Sequence, residues 1–403
     1  MTRLIASLCI AAAGALLAAC DSGPTNATAQ TPAAAPAAQG AAGAGGPMAP
    51  RFEVDPFWPK PLPNHWLLGS TIGVSVDSRD HVWIIHRAQS LNLDTEASAG
   101  KNNPAGECCT IAPPVIEFDA DGNVVGSWGG PGEGYDWPTS NHGITVDHMD
   151  NVWIGGNDPK DAHVLKFTRA GKLLLQLGKP GENKGSNDPV NFWRVAKISI
   201  DPAANEAFIS DGYGNKRVVV IDASTGARKR YWGAYGNMPD DTDLGPYDPA
   251  APPAQQFRNP VHCAEPSNDG FVYVCDRVND RIQVFRKDGT FVSELRVKEQ
   301  TRGAGSVWDI AFSKDPEQTY IYLADGMNEQ IHVIDRKKME ILTSFGDGGR
   351  QPGQFFGVHS IATDSKGNNY TTETYEGKRV QKFVYRGVAP VAATSQGPPW
   401  PQR

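Results

Sequence analysis

Residues 142–157, HGITVDHMDNVWIGGN, and residues 163–178, HVLKFTRAGKLLLQLG, form one unit whose pattern decides the fold. A short strand ends in Asp147, a tight turn follows, and an aromatic-bearing strand runs back. After a loop come an alternating strand, a turn at Gly171 and a last strand. The same order recurs six times along the chain. First strands are expected at 72–77, 142–147, 196–201, 262–267, 308–313 and 359–364. The second strands carry VWIIH, VWIGG, AFISD, VYVCD, IYLAD and NYTTE, and the third carry VIEFD, VLKFT, VVVID, IQVFR, IHVID and VQKFV. Four short antiparallel strands per unit, repeated in this way, predict an all-β, six-bladed β-propeller.

The sixth unit shows no fourth strand after Val384. Residues 51–54 stand alone before a Pro-rich stretch and are expected to supply it, so that the N-terminal strand closes the last blade and leaves no exposed sheet edge. An insertion at 88–114 and a long connection at 233–260 interrupt the regular spacing.

Composition agrees with this architecture. The 403 residues include 43 Gly and 31 Pro, which suits many short strands joined by turns and argues against long helices. The 38 Lys+Arg against 45 Asp+Glu leave a formal net charge of −7. Nucleic-acid binders carry a clustered basic excess instead, so no nucleic-acid partner is expected.

Ahead of the repeats, Arg3 precedes an apolar run over 4–19 that ends in Leu17-Ala18-Ala19-Cys20. This is the pattern of a bacterial lipoprotein signal peptide over 1–19, with Cys20 as the lipid attachment site. Residues 20–50, rich in Ala, Pro and Gly, read as a tether that has no core to bury. The propeller is expected over 51–388 and a Pro-rich tail over 389–403. The expected setting is the bacterial cell envelope, where a monomer is held to the membrane through its N-terminal lipid only.

Export permits disulfides. Cys263 and Cys275 lie at equal distances from the turn Asn268-Asp269-Gly270, which makes them a possible disulfide across paired strands. The adjacent Cys108 and Cys109 either close a vicinal ring or remain thiols.

Register gives the functional expectation. His142, His262 and His359 each lie five residues before the end of their first strand, in blades two, four and six. Ile72, Ala196 and Trp308 hold the same position in the other blades. First strands line the central channel, so three imidazoles converge from directions about 120° apart, the arrangement of an open three-His zinc site. The turn after each second strand shares a rim with these histidines, and it carries Arg87 in blade one, Tyr213 in blade three and Arg277 in blade four. Tyr375 of blade six and Met327 of blade five stand at the register of Tyr213. A metal with two arginines and a tyrosine on one rim suits a carboxylate-bearing substrate. By contrast, Asp211, Asn215 and Arg217, like Asp276, Asn279 and Arg281, read as scaffold of the repeat.

The repeats resemble NHL-type blades. HGITVD, FISDGYGNKRV, NPVHCAEPS with VCDRVNDRIQVF, and VHSIATD resemble the lyase domain of peptidylglycine α-amidating monooxygenase, in family order and over nearly all of residues 65–386. The resemblance implies a six-bladed propeller with one zinc in its channel, which cleaves peptidyl-α-hydroxyglycine to a peptide amide and glyoxylate. It implies His142 in NHGITVD, His262 in NPVHC and His359 in GVHSI as zinc ligands. Tyr213 in SDGYGN falls on the family's catalytic tyrosine, and Arg87 in IIHRAQ and Arg277 in CDRVND on its active-site arginines.

The chain departs from the family at three points. Gly214 replaces a disulfide-bonded Cys after the tyrosine, Gly357 replaces a Met before the third histidine, and Ser360 replaces an Asp linked to a structural calcium. The last change argues against calcium here. The resulting expectation is a zinc-dependent carbon–nitrogen lyase acting on a small-molecule or peptide-derived carboxylate. Two other classes compete with it: a non-catalytic binding or scaffold propeller of the cell envelope, and a zinc-dependent hydrolase that consumes water.

Overall fold

The computed structural model describes residues 46–100 and 104–391. The expected leader over 1–19, Cys20, most of the 20–50 segment and the tail from 392 onward lie outside the described residues. Six four-stranded sheets succeed one another, each antiparallel from the channel outward. Blade two, for example, runs Asn141–Val146, Val152–Gly156, His163–Phe167 and Leu173–Gly178. Among the described residues no helix is long and apolar enough to cross a membrane.

Local chemistry explains why each first strand stops where it does. Asp147 Oδ1 accepts the backbone N–H of Met149 and of Asn151, while Oδ2 accepts Trp153 Nε1–H at 3.0 Å. Asp77 does the same with Arg79, His81 and Trp83, and Asp364 with Lys366, Asn368 and the Tyr370 hydroxyl. One carboxylate thereby satisfies the turn and anchors the large aromatic of the returning strand. Burial pushes the Asp77 and Asp147 carboxyls up, but these hydrogen bonds outweigh it and hold both below the ordinary value.

The core lies between blades. Trp83, Ile85 and Val115 of blade one pack on Ile144, Ile154 and Phe167 of blade two, and comparable layers fill the other seams. The repeat's buried ion pairs stiffen the second-strand turns. Arg217 Nε reaches Asp211 at 2.8 Å and Arg281 Nε reaches Asp276 at 2.8 Å, all with buried side chains. These residues are scaffold, as their recurrence suggests.

Closure follows the expected route. Met48–Asp55 pairs antiparallel with Arg379–Pro390, from Met48 opposite Pro390 to Asp55 opposite Lys382. The sulfurs of Cys263 and Cys275, directly opposite on the first two strands of blade four, are bonded. Cys108 and Cys109 are bonded to each other in the blade-one insertion. The long connection lies against blade four, where Arg258 Nε donates to Asn279 Oδ1 at 3.0 Å.

Candidate active site

The six first strands bring His142, His262 and His359 into one cluster at the channel's centre. Their ring centroids form a near-equilateral triangle with sides of 5.2, 4.9 and 4.8 Å. One ring nitrogen from each lies within 4.8 Å of the others, and all three residues are buried. Strand pairing slips at each histidine: between His142 and Ile144, between Val261 and Cys263, and between Val358 and Ser360. Such a bulge re-aims the side chain toward the axis instead of into a blade seam. It also explains why these strands begin one residue before the expected positions.

The blades without histidine orient those that have one. His142 Nδ1 donates to the Ala196 carbonyl at 2.7 Å, and His262 Nδ1 to the Trp308 carbonyl. His359 Nδ1 faces the Ile72 backbone without a well-formed hydrogen bond. Ala196, Trp308 and Ile72 are the residues at the histidine register in blades three, five and one, so the ring alternates ligand-type side chains with backbone acceptors. Gly143 makes the first of these contacts possible. At φ 71° it sits in the left-handed region, and a Cβ there would come within 2.5 Å of the Ala196 oxygen.

With Nδ1–H committed to a carbonyl in His142 and His262, the Nε2 lone pair is left facing the axis, which is how metal-ligating imidazoles are fixed. Burial, reinforced by Arg87 and Arg277 and by the neighbouring rings, drives the protonation of all three well below the ordinary histidine value. Three neutral nitrogen donors suit zinc. A cavity of ≈ 10 Å³ bounded by the three histidines, Ile72, Asp309 and Ser360 has room for about one water-sized body. The residues present therefore fit a single metal ion.

On the rim above, the Tyr213 hydroxyl lies 3.1 Å from His142 Nε2 and 3.1 Å from His262 Nε2, and it accepts Arg277 Nη1–H at 3.0 Å. The Arg277 guanidinium stacks on the buried Trp308 ring, 4.5 Å from its centroid, and its Nε–H has no partner among the described residues. Arg87 donates to the Asn141 carbonyl at 3.3 Å and to Asn157 Oδ1 at 2.9 Å. Burial lowers its pKa, and the fields of Tyr213, Tyr375 and Asp161 offset this in part. The structure thus gathers all six sequence-predicted residues. Trp308 is the member that sequence reading missed, although its place at the histidine register was a signal.

Beneath the triad a lysine supplies the positive charge. Lys197 Nζ contacts Asp309 Oδ1 at 2.7 Å and Glu265 Oε1 at 2.8 Å, and Ser360 Oγ donates to Asp309 Oδ2 at 2.6 Å. Burial disfavours the ammonium, but the two carboxylates outweigh it and raise its pKa. Ser360 is therefore satisfied by the carboxylate of an internal ion pair. A second cluster, Asp77, His81 and Glu117, is already neutralised by Arg169, which bonds Asp77 Oδ2 at 2.6 Å and Glu117.

No protein-family model matches the chain. Over 301 residues, 73% of its length, it is 25% identical to NHL repeat-containing protein 3 of Mus musculus, spanning 70% of that protein. Over 357 residues, 82% of its length, it is 27% identical to peptidyl-alpha-hydroxyglycine alpha-amidating lyase 1 of Drosophila melanogaster, spanning 59% of that protein and thus less than two thirds of it. A solved streptogramin B lyase structure superposes with a TM-score of 0.51 at 13% identity, covering 83% of this chain and 98% of the other. That likeness speaks for the fold alone. The chain is a six-bladed propeller similar to an NHL repeat-containing protein and to an amidating lyase.

Proposed function

We propose that the protein is a metal-dependent carbon–nitrogen lyase that splits an N-acyl-α-hydroxyglycine, or a similar carbinolamide, into an amide and glyoxylate. The observation that carries this reading is the buried His142, His262 and His359 triad, with Nε2 of the first two turned inward, beneath a tyrosine and two arginines. One zinc ion held by these three histidines would supply Lewis acidity toward a substrate oxygen.

The chain's own groups account for the remaining needs. Arg277, braced by Trp308, and Arg87, held by Asn141 and Asn157, present guanidinium edges to the substrate carboxylate. Tyr213 stands between the triad and Arg277, and as a phenolate, with the Arg277 Nη1–H donated to it, its oxygen accepts the proton of the substrate hydroxyl. Loss of that proton lets the C–O bond become C=O while the C–N bond breaks, and no water is consumed.

Glyoxylate release from N-benzoyl-α-hydroxyglycine, measured beside elemental analysis of the same samples, tests this. Native protein is expected to hold about one zinc per chain and to release glyoxylate. His262→Ala is expected to lose both properties. Tyr213→Phe is expected to keep the metal while turnover falls about 10²-fold or more. Unchanged turnover in Tyr213→Phe sinks the role given to that residue. A native protein that takes up no zinc sinks the lyase reading as a whole.

A further inference from the structure

The strained, exposed tyrosine of blade six has no part in the scheme above. Tyr375 stands at the register of Tyr213, three blades away and so across the ring from it. Its backbone has φ 49°, a left-handed conformation uncommon for an aromatic residue. Four contacts from different parts of the fold hold the loop in that shape. Ser70 Oγ donates to the Tyr375 carbonyl at 2.8 Å across the seam between blades one and six. Thr374 N–H donates to the Gly357 carbonyl at 2.8 Å, and Arg350 Nη1 to the Glu376 carbonyl at 2.7 Å. Lys378 Nζ reaches Glu96 Oε1 of the blade-one insertion at 2.7 Å.

Backbone strain on the order of 1–3 kcal/mol, held by so many anchors, is typical of functional positions. The side chain it presents is 57% exposed, and its hydroxyl has no hydrogen-bond partner among the described residues. The ring meets Trp308, the platform under Arg277, edge-on at 6.4 Å. Arg87 feels the fields of both Tyr213 and Tyr375.

The reaction has a need that this phenol fits. Expelling an amide as its anion is far too costly, so a proton must reach the nitrogen as the C–N bond breaks. Tyr213 is committed to the oxygen side, against the triad. We infer that Tyr375 is the proton donor to the departing amide nitrogen; this rests on the lyase reading. The hydroxyl O–H bond breaks toward the Tyr213 phenolate, C=O forms, C–N breaks, and N–H forms with the Tyr375 proton. Tyr213 then holds the proton that Tyr375 has lost, and exchange with water at the open mouth restores both.

The test uses zinc-loaded full chain and N-acyl-α-hydroxyglycines whose acyl groups are para-substituted benzoyls of graded electron withdrawal, extended to trifluoroacetyl. Tyr375→Phe is expected to lose about 10²-fold in kcat with the benzoyl compound. The loss is expected to shrink steadily as the leaving amide becomes more acidic, because a better leaving group needs less protonation. Affinity for N-benzoylglycine, measured by calorimetry, is expected to stay unchanged. Tyr375→His, which returns an N–H donor, is expected to recover part of the rate. A loss that is uniform across the series, or no loss, overturns the proposal while wild-type turnover keeps the lyase reading. No glyoxylate from wild type with any compound overturns both.

Discussion

At the scale of single residues, burial of neutral histidines sets the acid side of the stability profile. His86 Nδ1 accepts the Gly69 N–H at 3.1 Å and its Nε2–H donates to the Pro113 carbonyl at 3.0 Å, so the ring is locked in a neutral tautomer. Burial lowers its pKa to about 4, and the triad shifts in the same direction. The unfolded chain takes up protons near pH 6.5, whereas the folded chain does so only far lower. The histidines' contribution is therefore flat above about pH 7 and is lost as pH drops through 6.5 toward 4, with His86 alone accounting for on the order of 3 kcal/mol. Asp280, pushed by burial up to about 7, works in the opposite direction over the same range. Urea unfolding of metal-free wild type and His86→Gln at pH 7.5 and pH 5 checks this: wild type is expected to lose more between the two pH values than the variant, and equal losses would contradict it. The histidines and the three rim residues were legible because each occupies a fixed register position in a repeat. The role of Lys197 was not, because it lies in contacts to Glu265 and Asp309 of other blades, and Trp308 showed its register but not its stacking on Arg277. Those contacts depend on how blades face each other, which a linear pattern does not contain.

At the scale of the element, the blade is a circuit of local satisfactions more than a run of β-formers. Asp147 closes its turn with two backbone N–H bonds, anchors Trp153 and lies 3.5 Å from Lys166 Nζ. Asp147→Ala removes all of these and strands a buried indole N–H, so a loss of about 2 kcal/mol is expected. The reading is a lowered midpoint in denaturant with an unchanged slope. Asp147→Asn, which keeps the turn acceptor, is expected to lose less. The Asp–turn–aromatic signature explains why the blades could be counted from the chain alone, since one short motif fixes two strands and their direction. The bulges at the histidines were not legible. A residue that slips out of register looks in sequence like any other strand residue, and only the pairing of His142 with Gly155 and of Ile144 with Ile154 shows the slip.

At the scale of the whole molecule, ring closure and the candidate site are one structure. The N-terminal strand buries Ala49, Phe52 and Val54 in the seam of blades five and six, and Phe52 meets Tyr322 and Phe345 at 5.3 Å each. Removing it forfeits the burial of those side chains, about 5 kcal/mol at about 2 kcal/mol for each large one, against a typical total of roughly 5–15 kcal/mol. It also uncovers the edge of Arg379–Pro390 for association with other chains. Closure was legible because the sixth repeat lacked a strand and the N-terminus held a spare one. Its functional consequence was not, because it lies in the seam itself: blade six meets blade one where Ser70 holds the Tyr375 carbonyl and His359 faces Ile72. A chain beginning at residue 56 is therefore expected to self-associate and to bind no zinc. One beginning at residue 46 is expected to stay monomeric and to melt at a higher temperature when zinc is added, since a ligand of the closed ring stabilises it by mass action. Size-exclusion chromatography and thermal melts with and without zinc decide the matter, and a monomeric, zinc-binding 56–403 chain would separate closure from the site.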